Sequence, residues 1–322
     1  MLGKLVSVII TTYNREKQLS LTLDSILAQT YKNIEIIIVD DFSTDGTKDL
    51  IESKLLKLDT RIKYIRCDKN SGLASARNKG ILNSNGKYFT FCDDDDLWMP
   101  NFIEEFVIVA SMHDSEWCFC CSGKYKNFLG TDIYSYFEYE GELKNLIKQG
   151  FTPPVASQFY NLSSIKKIKG YNTQVKTGVD HDLWIRLAKI GTKIKYIPKI
   201  LSIPNVNSGQ SRMTNNFSHR LNGIKNTLVI WKNDLIELYG NEFYLKFCDA
   251  YLLREKLKFL KLYLQDLNFF MAFKIKKDIP FFKFYKILIF SFAKKLLQIS
   301  IPKILISEKK NIKAQPTLKI LD

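Results

Sequence analysis

Several features that would fix the class of this chain are missing from it. Nothing at its N-terminus resembles a secretory signal. Six cysteines lie at positions 67, 92, 118, 120, 121 and 248. Cys118 and Cys121 form one C-x-x-C, but no second pair or histidine follows at zinc spacing. Cys92 and the 118–121 group fall in apolar, strand-like stretches, so the cysteines read as reduced, buried thiols of a cytosolic protein. Past residue 240 the longest uncharged runs are seven residues, as in Ile287–Ala293, well short of the ~20 needed to span a bilayer. The loop after the first predicted strand, Thr11–Arg15, contains no glycine, unlike the Gly-rich phosphate loop with Arg and Lys that a nucleotidyltransferase carries near its N-terminus. No RNA-binding signature accompanies the positive charge, whose residues alternate with aliphatics rather than with isolated stacking aromatics. A nucleic-acid partner is therefore not expected.

What is present suffices for a real core. The 322 residues are 46% hydrophobic and 13% aromatic, enough for one large domain or a domain with an appendage. Net charge is +15, unevenly spread: residues 241–322 hold 17 Lys and Arg against 7 Asp and Glu, a balance of +10, which leaves +5 for the first 240. The basic character belongs to the C-terminal quarter.

Leu5 to Thr12 is a β-branched run that ends in the turn-like Tyr13-Asn14-Arg15, after which Leu19, Leu23, Ile26 and Leu27 follow at helical spacing. Ile34–Val39 reads as a second strand, breaking at Asp40-Asp41-Phe42-Ser43-Thr44-Asp45-Gly46. A helix is predicted over 47–58, strands over 62–65 and 87–92, and a helix over 73–82 between them. This alternation implies right-handed βαβ units and a mostly parallel sheet, whose ligands bind beyond the carboxyl ends of the strands. The polar punctuations 12–15, 40–46 and 93–96 fall at those ends. Past residue 220 the chain reads as all-helical.

Asp93-Asp94-Asp95-Asp96 follows a strand directly. Four adjacent negative charges repel unless a cation or a compensating group sits among them. Hard oxygen ligands at that place suit Mg²⁺ or Mn²⁺; a solvated acidic loop capping the next helix is the alternative. Asp41 either caps the helix that follows it or accepts a hydrogen bond from an imide N–H or a ribose hydroxyl. Asn70 to Asn78 is a small-residue loop entering a helix, where Arg77 either reaches a phosphate or base or is solvated. Asp180, before an amphipathic helix, is an N-cap or a general base, and His181 reads as its structural neighbour.

In order, Ser7-Val-Ile-Ile-Thr-Thr-Tyr-Asn14, Val39-Asp-Asp-Phe-Ser-Thr-Asp-Gly-Thr47, Asn70-x-Gly-x-Ala-x-Ala-Arg-Asn78-x-Gly80, Asp93–Asp96 and Asp180-x-Asp-Leu-Trp-x-Arg-Leu187 resemble the family 2 glycosyltransferases. The resemblance covers about residues 4–215. It implies the inverting, glycosyltransferase A fold: an α/β domain with a mostly parallel nucleotide-binding sheet flanked by helices, over 1–220, followed here by a basic amphipathic helical region, 221–322. It implies a nucleotide-sugar donor, with UDP as the commonest nucleotide, and a saccharide or lipid-linked saccharide acceptor in bacterial surface-polysaccharide synthesis. Position by position, it sets Thr11, Tyr13, Asn14, Arg15, Asp41, Arg77, Asp93 and Asp94 about the nucleotide. Asp93 and Asp95 match the D-x-D element, with Asp95 favoured as direct ligand of Mn²⁺ or Mg²⁺, and Asp180 matches the general base.

Two departures stand out. Many relatives have Glu-Asp where this chain has Val179-Asp180, and many have a histidine where Asn207 stands before Ser208-Gly209. From Tyr251 to Ile306, Leu, Ile and Phe alternate with Lys clusters. Such a pattern suits helices lying on an anionic membrane surface, so the enzyme is expected in the cytoplasm, peripheral on the inner face of the membrane. The alternative is a helical subdomain with a solvated Lys face. A processive polysaccharide synthase is disfavoured by the missing Gln-x-x-Arg-Trp element and transmembrane helices; a non-catalytic scaffold is disfavoured by the retention of Asp95 and Asp180.

Overall fold

The computed structural model describes residues 3–126, 132–135, 139–149, 157–203, 217–265, 271, 279–280 and 284. They fall into two compact units, one within residues 1–210 and one within 211–309.

The first unit begins with β1 (Val6–Thr12), α1 (Glu16–Leu27) and β2 (Ile34–Asp40). All seven residues of β1 and of β2 are buried, which is what β-branched strands covered on both faces require. The next helical stretch is not uniform: α2 (Thr47–Leu50) passes through a π-helical turn, Ile51–Leu55, into α3 (Leu56–Leu58). The turn carries Ile51 and Leu55 into the core. β3 (Ile62–Arg66), α4 (Leu73–Leu82) and β4 (Tyr88–Asp93) complete the βαβ series. Helix α4 lies so close to the sheet that a Cβ on Gly80 would stand 2.5 Å from Ile9 Cγ2. The chain continues through β5 (Leu97–Trp98), α5 (Phe102–Ser111), β6 (Trp117–Lys126), β7 (Asp132–Ser135), β8 (Glu140–Glu142), α6 (Leu143–Lys148), β9 (Gln158–Asn161), α7 (Leu162–Lys167), α8 (Val179–Lys189) and β10 (Lys193–Ile203).

The sheet runs β3-β2-β1-β4-β9-β6-β10-β5, with β7 on β6 and β8 on β10. Its first four strands are parallel, as the sequence predicts. Beyond β4 the sheet is mixed: β9 is antiparallel to both β4 and β6, while β6 and β10 are parallel. β7 is likewise antiparallel to β6. The core under the sheet is aromatic, with Trp98 stacked on Phe102 at 4.0 Å and Phe106 on Phe159 at 5.1 Å.

The second unit holds α9 (Phe217–Ile230), α10 (Lys232–Tyr239) and α11 (Asn241–Gln265). Trp231 lies edge-on to Phe247 and Tyr251. Phe259, Leu260 and Tyr263 join Ile279 and Phe284 in a separate cluster. Within 251–265, then, those apolar side chains cover one another inside the unit, as a helical subdomain would arrange them. Buried Glu255 is ion-paired to Arg220 at 3.0 Å and Lys258 at 2.6 Å. Among the described residues no helix is long and apolar enough to cross a membrane. Pro153 and Pro154, Asn207 with Ser208-Gly209, and most of 281–297 lie outside the described residues.

Candidate functional site

The predicted polar segments gather at one edge of the sheet because the strands are in register there. Thr11 is paired with Val39 on one side and with Asp93 on the other; Thr12 is opposite Asp40, and Asp40 opposite Arg66. Thr11 is buried and Tyr13 is 45% exposed. Asn14 takes a left-handed conformation (φ 54°). Its N–H donates to Ser43 Oγ at 2.9 Å, and its Oδ1 accepts the Thr44 N–H at 2.8 Å. Asn14, expected at the nucleotide, also locks the first loop to the second through its amide oxygen. Arg15, half-buried, donates its N–H to Thr47 Oγ1.

Asp40 and Asp41 have separate tasks. Asp40 is fully buried and accepts from the Ser43 N–H and the Tyr64 hydroxyl, with Arg66 3.6 Å away. Asp41 turns toward α4: Oδ1 accepts the Ser71 N–H at 2.9 Å and Oδ2 the Gly72 N–H at 2.8 Å. Gly72 has φ 87°, a conformation that favours glycine. Asp41 thus shapes the entrance to α4, keeping one further lone pair on each oxygen.

The acidic run alternates. Asp93 and Asp95 are partly exposed; Asp94 and Asp96 are buried. Asp94, predicted to face the nucleotide, points inward instead, where burial pushes its carboxyl up to about 7. The Thr12 side chain opposes that shift, and the neighbouring Asp93 and Asp95 add to it. No cluster of three or more candidate metal-binding side chains exists among the described residues. Two outward carboxylates still fit Mg²⁺ or Mn²⁺, which are usually held by one or two carboxylates together with substrate phosphates. Asp93 Oδ1 is taken by Arg77.

Arg77 is neither solvated nor open to a ligand: it is 1% exposed. Its guanidinium lies 4.9 Å from the ring centre of Phe91 and 5.3 Å from that of Tyr171. Nη1 donates to Asp180 Oδ1 at 2.7 Å, and Nη2 to Asp93 Oδ1 at 3.0 Å. Burial works against this charge, but the surrounding Asp180, Tyr171 and Asp93 outweigh it and hold the guanidinium well above its usual pKa. Asp180 is not the N-cap of α8; Gly178 is, with φ 79°. Asp180 sits in the first turn, its side chain 14% exposed. His181 packs its ring near Trp184.

Of the supporting residues, Asn78, Asp182, Trp184 and Arg186 stand in the motifs quoted above without an assigned role, and Tyr171 stands in none of them. Tyr171 places its hydroxyl 3.3 Å from Asp180 Oδ1 and 3.4 Å from Arg77 Nη1. Asn78 holds the Tyr171 backbone from both sides: its Oδ1 accepts the Tyr171 N–H at 2.7 Å and its Nδ2 donates to the Tyr171 carbonyl at 2.8 Å. Buried Asp182 pairs with Arg186, which donates to the carbonyls of Ile168 and Gly170 and so fixes the turn leading to Tyr171. Behind them Trp184 Nε1 donates to the Tyr160 hydroxyl, which donates to Gln158 Oε1.

A family model described as Glycosyl transferase family 2 matches residues 7–161, the stretch that carries β1 to β9. Residues 7–161 therefore carry a glycosyltransferase family 2 domain. An uncharacterized glycosyltransferase of Rickettsia typhi, RT0329, is 29% identical over 245 residues, 74% of each chain. TuaG of Bacillus subtilis, a glycosyltransferase named for teichuronic acid biosynthesis, is 43% identical over 101 residues. That match spans 31% of this chain and 40% of TuaG. Among solved structures, residues 1–349 of S. aureus TarS in complex with UDP-GlcNAc superpose with a TM-score of 0.61 at 21% identity, over 79% of this chain and 73% of TarS 1–349. That likeness establishes the glycosyltransferase A fold.

Proposed function

We propose that the chain transfers a sugar from a nucleotide-sugar donor, with UDP as the first nucleotide to test, to a hydroxyl of a lipid-linked saccharide in bacterial surface-polysaccharide synthesis. One observation carries this reading. Asp93, at the end of β4, and Asp180, at the start of α8, reach the same buried guanidinium from two different elements. That arrangement puts a base candidate beside the carboxylates that would face a diphosphate. The UDP-GlcNAc bound to TarS and the name of TuaG support a sugar nucleotide as donor and a cell-surface polymer as product.

Asp180 removes the proton from the acceptor hydroxyl, whose oxygen attacks the anomeric carbon from the face opposite the nucleotide. The C–O bond to the diphosphate breaks in the same displacement, the configuration inverts, and no protein nucleophile is needed. Asp93 and Asp95 would hold Mg²⁺ or Mn²⁺, which supplies positive charge to the departing diphosphate. Tyr13, exposed beside the buried Thr11, offers a face to the base. The +10 balance of residues 241–322 would draw the enzyme to an anionic membrane surface, where a lipid-linked acceptor lies.

The test is nucleotide release from a panel of UDP-, GDP-, dTDP- and CMP-sugars, with the anomeric configuration of the product read by NMR. Release that depends on Asp180 and an inverted product is expected. A retained configuration would contradict the single displacement.

A further inference from the structure

We propose that Arg77 is a positioning residue for the transfer: it fixes the spacing and orientation of the base carboxylate, Asp180, relative to the diphosphate-side carboxylate, Asp93. This rests on the reading of Asp180 as the base. Three observations carry it. The guanidinium fork is divided between the two carboxylates, one nitrogen to each, at 2.7 and 3.0 Å. It has no freedom to serve one at the expense of the other, because Phe91 and Tyr171 flank its plane and it is 1% exposed. The scaffold around it is tied down as well. Asn78, the next residue of α4, clamps the Tyr171 backbone, and the Tyr171 hydroxyl meets both Arg77 and Asp180.

The consecutive pair Arg77-Asn78 therefore joins three parts of the first unit: the end of β4, the turn at Tyr171 and the first turn of α8. Two carboxylates left without a shared cation would repel, and each would turn toward water. With Arg77 in place their separation is set before any substrate arrives. That matters because a misplacement of about 1 Å can cost 10²-fold in rate. The arrangement also bears on position 179. Val179 is 9% exposed, so a carboxylate there would be desolvated; Tyr171 and Arg77 supply the support to Asp180 instead. Lysine cannot replace the fork, since an ammonium is a single point of charge without the planar geometry that holds two carboxylates at once.

The full chain is tested in two ways. The first needs no substrate: equilibrium unfolding of Asp93→Asn, Asp180→Asn and the double variant, in the wild-type and Arg77→Met backgrounds. With Arg77 present the two substitutions should be non-additive, by about tenfold in the unfolding constant; with Arg77→Met that coupling should vanish or change sign, because only repulsion between the carboxylates remains. Should Arg77→Met fail to fold, the Arg77→Lys background gives the same comparison. Additivity with Arg77 present overturns the proposal. The second is turnover of the sugar nucleotide that the wild type consumes fastest in the panel. Arg77→Lys should lower kcat about 100-fold with the donor KM unchanged, the pattern of an interaction made only in the transition state. A wild-type kcat in Arg77→Lys, alongside a lost kcat in Asp180→Asn, overturns the positioning role alone. A wild-type kcat in Asp180→Asn overturns the base reading, and the proposal with it.

Discussion

The two edges of the parallel half-sheet both hold buried carboxylates, and they treat them oppositely. At the amino edge, Glu35 on β2 accepts from the Ser7 hydroxyl at 2.6 Å, the Asn85 N–H at 2.6 Å and Lys63 at 2.7 Å. Burial alone would raise this carboxyl, yet the bonds from Lys63, Ser7 and Asn85 outweigh it and hold the group below its usual value. Its charge is answered within the chain. At the carboxyl edge, Asp93 and Asp180 share one buried arginine, three more aspartates follow Asp93 directly, and the inward Asp94 is pushed up to about 7 by burial, against the effect of Thr12 and helped by its neighbours. Negative charge is in surplus there. A fold retains such a surplus where a cation or a ligand completes it; a balanced cluster is architecture.

The contrast can be broken from either side. The largest effect is expected at the carboxyl edge: Asp180→Asn should lower turnover by about 10²- to 10⁴-fold, the contribution of a general base. The amino edge should behave inversely. Glu35→Ala leaves the buried Ser7 hydroxyl and the Asn85 N–H without their acceptor and should cost about 1–3 kcal/mol in chemical denaturation, with kcat of the folded fraction unchanged. Because the folded Glu35 carboxyl titrates below its ordinary value, its stabilisation is fully present above a pH of about 4.3. It is lost as pH falls through the lowered value, since the unfolded chain then binds the extra proton. Acid titration of stability should accordingly be steeper in the wild type than in Glu35→Gln. The smallest effect is expected at Tyr13: Tyr13→Ala should weaken nucleotide binding by about 1 kcal/mol, the scale of one base–aromatic contact, in calorimetry.

Much of the carboxyl edge was legible because it rests on local pattern. Buried β-branched runs alternating with amphipathic helices fix β1 to β4, and polar residues at their ends follow directly from that. The rest depends on partners distant in sequence. The loop after β2 reads as a cluster of helix caps, but Asp41 reaches to Ser71 and Gly72 on the next crossover. Arg77 sits in a helix whose spacing permits a solvated side chain; only the approach of Phe91, Tyr171 and Asp180 buries it. The inward position of Asp94 and Asp96 belongs to the turn after β4, closed by the Asp96 N–H on the Asp93 carbonyl at 3.0 Å, which no periodicity announces. The mixed half of the sheet was not legible, since the four residues of β9 give no periodicity to read.

The claim that the acidic surplus is a site for a metal and a nucleotide diphosphate is tested most directly by thermal melting of the full chain with UDP, GDP, dTDP and CMP, each with and without Mn²⁺. A ligand that binds only the folded state raises the melting temperature, by about 2.7 kcal/mol of stabilisation at a hundredfold excess over Kd. The expected result is a rise with one nucleotide that requires Mn²⁺ and vanishes in Asp95→Ala. Melting temperatures that no nucleotide moves, with or without Mn²⁺, would contradict it.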